Sequence, residues 1–162
     1  MNLSSRIFLI TVTIFTSYIS FGQPEPDTQA MYKVLSGTDA EKVQDLLTEI
    51  GAAETNRESA YMGVLLMKNA GNQDSPVSKL SMFKDGRELL ETAISNDPDN
   101  AEYRFFRLLI QENAPRILGY NDDLKDDSTK VIASFSNLSS ELKNAILAYS
   151  KDSKVISAKD LD

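Results

Sequence analysis

Apolar residues recur along most of this chain three and four positions apart, the spacing that lines up side chains on one face of a helix. No alternating run of comparable strength competes, so an all-α chain is expected. Val43, Leu46, Leu47 and Ile50 form the clearest stripe, opened by Thr38 with Glu41 as a capping box and closed by Gly51. Thr55 with Glu58 opens the next helix, which carries Ala60, Tyr61, Val64, Leu65 and Met67 and ends near residues 69–71. Ser75 followed by Pro76 starts a long one, because proline suits the first helical position, where an N–H has no partner within the helix. That helix runs to about Asn96 through Leu80, Phe83, Leu90, Ala93 and Ile94, and Asp97-Pro98 stops it.

Asp99 with Glu102 then opens its expected partner over residues 101–112. Tyr103, Phe105, Phe106, Leu108, Leu109 and Ile110 leave this segment apolar around most of its circumference, which predicts the central, most buried helix. Beyond it, Asn113-Ala114-Pro115 restarts a short helix through Ile117 and Leu118 that ends at Gly119-Tyr120. Asp122 or Asp123 caps a helix with Leu124, Val131, Ile132 and Phe135, and Ser139 caps a last one with Leu142, Ala145, Ile146 and Tyr149. Ahead of all these, Ala30, Met31, Val34 and Leu35 predict a short helix in the segment 23–36. Leu46-Leu47 recurs in Leu89-Leu90, and Leu65-Leu66-Met67 in Leu108-Leu109-Ile110, as two similar αα-hairpins would produce. The expected organisation is a single helical domain over residues 37–151, followed by a polar tail over 152–162 that frays.

The junction between residues 86 and 102 resembles the tetratricopeptide-repeat family. Gly86, Leu90, Ala93 and Pro98 occupy the places of that family's small, large-apolar, small and proline positions, and Asp99-Asn100-Ala101-Glu102 looks like its turn. The resemblance implies stacked antiparallel αα-hairpins and, by analogy with such proteins, a scaffold that binds another protein.

Residues 1–22 change the picture of where this chain works. Arg6 and the amino terminus precede an apolar, β-branched run over residues 7–19, and Ser20-Phe21-Gly22 then leads to Gln23, the layout of a signal peptide cleaved after Gly22. The run falls short of the about 20 apolar residues that span a bilayer. A periplasmic or secreted bacterial protein is expected, with no stable membrane insertion after cleavage. The formal charge is −7, and Lys and Arg are scattered, which argues against nucleic-acid or membrane-surface partners and leaves a protein of the cell envelope as the expected one. With no Cys and no His, the chain lacks disulfides, a lipoprotein anchor, cysteine nucleophiles, His-based triads and the usual zinc ligands.

Arg104, Arg107 and Gln111 form a polar ridge on the otherwise apolar central helix and are the candidate binding residues, together with Tyr120, which is expected to reach a surface. Arginine there suits bidentate capture of a carboxylate, although in so acidic a chain pairing with Asp or Glu of neighbouring helices is the stronger expectation. The run Asn121, Asp122, Asp123, Asp126, Asp127 and Ser128 lacks the ligand order of a calcium loop and is read as charge at a helix N-terminus. No cofactor, metal or catalytic motif is indicated. The expected function is an exported module binding a protein segment; the alternative is a small exported enzyme or ligand carrier with a carboxylate-and-arginine pocket.

Overall fold

A computed structural model describes residues 27–161, so the expected signal peptide lies outside the described residues. Seven helices follow one another, with no strand among the described residues: α1 (Thr28–Ser36), α2 (Ala40–Ile50), α3 (Asn56–Ala70), α4 (Pro76–Asn96), α5 (Ala101–Asn113), α6 (Leu124–Ser134) and α7 (Ser140–Tyr149). Short 3₁₀ turns occupy Arg116–Leu118, Phe135–Asn137 and Ala158–Asp160. One hydrophobic core draws side chains from all seven helices, making a single compact domain. None of these helices is long and apolar enough to cross a membrane.

Local chemistry sets the helix starts. Thr55 and Glu58 exchange bonds as a capping box, Glu58 N–H to Thr55 Oγ1 at 3.1 Å and Thr55 N–H to Glu58 Oε2 at 2.8 Å. Ser75 caps α4 ahead of Pro76, and Ser139 caps α7. Two caps sit one residue later than the sequence pattern predicts. Asp39, not Thr38, accepts from Lys42 N–H, and Asn100, not Asp99, accepts from Glu102 and Tyr103 N–H. Asp99 instead faces outward and pairs with Lys130 of α6.

Helix α5 is the buried centre. Phe106 has no exposed surface and packs edge-on to Tyr61 at 5.4 Å and tilted against Tyr32 at 6.3 Å, so α1, α3 and α5 meet at one aromatic cluster. Phe106→Ala is expected to cost about 3–5 kcal/mol, read from urea unfolding. A loss below about 1 kcal/mol would show that this helix is not central.

Helix partnership departs from the expected order. The hairpins anticipated were α2 with α3 and α4 with α5, yet the most extensive packing joins α3 to α4 and then α5 to α6. Glycine is the reason at the first pair: a Cβ on Gly63 would stand 2.7 Å from Gly86 O, and one on Gly86 would stand 2.5 Å from Gly63 O. The bare backbones approach where any side chain would hold them apart. At one end of this pair Asn56 Nδ2 donates to Ala93 O at 3.1 Å, and at the other Lys79 Nζ donates to Gly71 O at 3.0 Å, so α3 and α4 run antiparallel.

The tail, expected to fray, is docked instead. Glu112 at the end of α5 accepts from Tyr149 Oη, from Ser153 Oγ at 2.8 Å and from Lys154 N–H at 2.6 Å. Ile156 is 1 % exposed beneath it. Ile156 and Leu161 in the core, Val155 packed against it, and the Glu112 carboxylate together hold a segment that is otherwise mostly polar.

Candidate functional site

The four candidate binding residues converge on one network, and their own chain satisfies them there. Arg107 lies buried on α5 and meets Asp127 of α6 in a fork, Nε to Oδ2 at 2.7 Å and Nη2 to Oδ1 at 2.8 Å. Its Nη1 donates to Glu91 Oε2 of α4 at 2.8 Å, and Asp123 stands 3.3 Å from Nη2. Arg104 adds a second contact to Asp127 at 3.0 Å and turns its remaining donors to Pro98 O. Gln111 and Asp123 bond reciprocally, side-chain N–H to Oδ2 at 2.9 Å and backbone N–H to Oε1 at 3.2 Å. Burial disfavours the Arg107 charge, but the bond to Asp127 and the charges of Asp127, Glu91 and Asp123 hold its pKa above the ordinary arginine value.

Tyr120 does not reach a surface. Gly119, at φ +56°, turns the chain so that the Tyr120 ring is buried edge-on to Phe83 at 5.8 Å, with the Arg87 guanidinium 4.6 Å from its centroid. Its hydroxyl donates to Glu91 Oε1 at 2.6 Å, which joins the arginine network from the other side. Burial, then the bond and charge of Glu91, push the phenol well above its usual range. The acidic run between α5 and α6 is therefore more than helix N-terminal charge. Asp123 and Asp127 are the arginines' counter-ions, and Asp127 is fully buried.

Glu102 organises a second lock of the same kind. Tyr32 of α1 and Tyr61 of α3 both donate to Glu102 Oε1, at 2.5 and 2.7 Å, while Arg57 donates to the Tyr61 hydroxyl at 2.8 Å. Burial leads, and the Glu102 charge follows, in raising both phenols. Sequence reasoning missed Glu91, Glu102 and Glu112 as acceptors. The available signal was chemical: a buried phenol needs an acceptor, and a chain this acidic supplies carboxylates.

Open surface lies elsewhere. A cleft of about 810 Å³ is framed by the ends of α1, α3 and α5, the start of α4, the 3₁₀ turn after α5 and the docked tail. Leu80, Phe83, Leu109, Ile110, Ile117 and Leu118 give it an apolar lining, and none of Arg104, Arg107, Gln111 or Tyr120 reaches it. Leu80, expected in the core, is 43 % exposed at its edge, and Ile117 is 94 % exposed. Lys68 sits half-buried in its wall and donates to Leu35 O at 2.9 Å, and burial lowers its pKa below the ordinary lysine value. The cleft is assembled from chain segments far apart in sequence, so no local motif announces it. Among the described residues no group of His, Cys, Asp and Glu is arranged to hold a metal ion.

Comparison with protein-family models, with curated proteins and with solved structures returned no match.

Proposed function

We propose that the chain is an exported helical interaction module, a divergent relative of tetratricopeptide repeats, that receives an apolar segment of an envelope protein in the cleft beside α3 and α4. The observation that carries this proposal is the pairing of an open apolar cleft with exposed Leu80 and Ile117, while Arg104 and Arg107 are turned on carboxylates of their own chain. A carboxylate-and-arginine pocket has less support, because Arg104 and Arg107 are committed to Asp127 and Glu91 inside the bundle. What supports the family resemblance is that its small position Gly86 permits the close approach of α3 and α4, while Leu90 at its large-apolar position and Ala93 at its second small position are fully buried. Export rests on the leader pattern of residues 1–22.

An Ile117→benzoylphenylalanine chain, illuminated in exporting cells, tests this directly. The expected product is a covalent adduct whose partner peptide, identified by mass spectrometry, is an apolar segment of one envelope protein, and Leu80→Asp should abolish it. Absence of any adduct at this exposed position, or adducts indifferent to Leu80→Asp, would refute the cleft as the binding surface.

A further inference from the structure

Charge is unevenly placed around the cleft. Lys68, Lys79 and Lys154 line it against Glu112 and Asp152, so the lining is net positive in a chain of formal charge −7. Two of the three cations share one wall, and Lys154 sits with the acidic residues on the other. Lys68 and Lys79 belong to the wall made by α3 and α4, whereas Glu112 and Asp152 belong to the end of α5 and the tail. Both oxygens of Glu112 already accept bonds, from Tyr149, Ser153 and the Lys154 backbone. Lys68 and Lys79 each donate to one backbone carbonyl, Leu35 O at 2.9 Å and Gly71 O at 3.0 Å, and an ammonium carries three donors. Among the described residues no carboxylate forms an ion pair with either.

Two positioned ammonium groups beside an apolar lining match one ligand chemistry. Resting on the cleft-binding proposal, we infer that the partner segment is a peptide carrying Asp or Glu next to its apolar anchors, and that these carboxylates meet Lys68 and Lys79 on the α3–α4 wall. The carbonyl bonds hold the ammoniums in place with donors to spare, and charge-assisted bonds to a carboxylate are stronger than those to neutral acceptors. The lysine stems add apolar contact to the same wall. Long-range electrostatics act the other way, since a net-negative protein attracts basic peptides and repels acidic ones. A preference for acidic peptides therefore has to come from this local arrangement.

Selection of a random dodecapeptide library on the immobilised exported chain separates the two effects. Enriched peptides are expected to combine leucine or aromatic residues with Asp or Glu. Their affinity, measured by fluorescence anisotropy, should fall about tenfold for a Lys68→Met/Lys79→Met chain. Methionine keeps the apolar stem and removes the charge, and the melting temperature checks folding; Lys79→Met alone, on an exposed side chain, serves if the double variant is destabilised. Enrichment of apolar peptides without acidic residues, or of acidic ones whose affinity survives these variants, would overturn the carboxylate inference and leave the cleft standing. Failure to enrich apolar peptides, or enrichment indifferent to Leu80→Asp and Ile117→Asp, would overturn the cleft and this inference together.

Discussion

Arg107→Met is expected to lower the free energy of unfolding by about 3–5 kcal/mol, because it strips the fully buried Asp127 of its forked partner and leaves Glu91 and Asp123 with one cation fewer. Arg104 alone would then face Asp127, through a single nitrogen at 3.0 Å. The cost comes from the carboxylate left behind. Replacing Arg107 and Asp127 together with apolar residues of similar volume should accordingly recover much of the loss. Urea unfolding with an unchanged denaturant slope measures both variants. A change below about 1 kcal/mol in the single variant would show that the network does not hold α4, α5 and α6 together.

Alkaline pH should unfold this protein abruptly. Tyr32, Tyr61 and Tyr120 are buried and donate to carboxylates, and their pKa values are raised by burial first and by Glu102 or Glu91 next. In the unfolded chain the same phenols ionise near pH 10. Above that pH the unfolded state releases protons that the folded state retains, so the stabilisation is complete below about pH 10 and is lost as pH rises toward the folded values. Each tyrosine contributes about 1.4 kcal/mol per pH unit, and the three together about 4. For a domain of ordinary stability, unfolding is expected within about one to four units above pH 10. Phenolate absorbance and loss of helical circular dichroism should therefore rise together in one cooperative step. Tyrosines that titrate near pH 10 with the helices intact would contradict the buried hydroxyl–carboxylate bonds.

These two expectations share a cause in composition. A chain without cysteine that carries 24 acidic residues has no covalent cross-link, and it ties distant segments together by aiming tyrosine and arginine at buried or half-buried carboxylates. Glu102 joins α1 and α3 to α5, Glu91 joins α4 to α5 and Tyr120, and Glu112 joins the tail to α5.

What the sequence made legible was local. The Thr55–Glu58 box and the Ser75-Pro76 start act within a few residues, and the structure places them where the pattern predicts. The apolar surround of Phe105, Phe106 and Leu108 likewise identified α5 as the central helix. Internal pairing of Arg104 and Arg107 was the stronger expectation from the acidic balance, but its partners were hidden, because Asp127 lies 20 positions from Arg107 and Glu91 lies 16 from it. Tyr120 and the tail were misplaced for a related reason. The place after Gly119 suggested exposure for Tyr120 and polar composition suggested it for the tail, and only the fold shows Glu91 and Glu112 waiting as acceptors. The Asp39 and Asn100 caps were displaced by one residue where several capping side chains stand side by side, each able to accept from the first turn.

Stability and the proposed recognition occupy separate residues, the arginine network inside the bundle and the cleft at the α3–α4 turn. The most direct test is the affinity of Arg107→Met, held well below its melting temperature, for a peptide selected on the parent chain. The account predicts a Kd within about threefold of the parent, a difference under about 1 kcal/mol, despite the large loss of stability. A folded Arg107→Met chain that no longer binds the peptide would contradict it and place anion recognition at the arginine ridge.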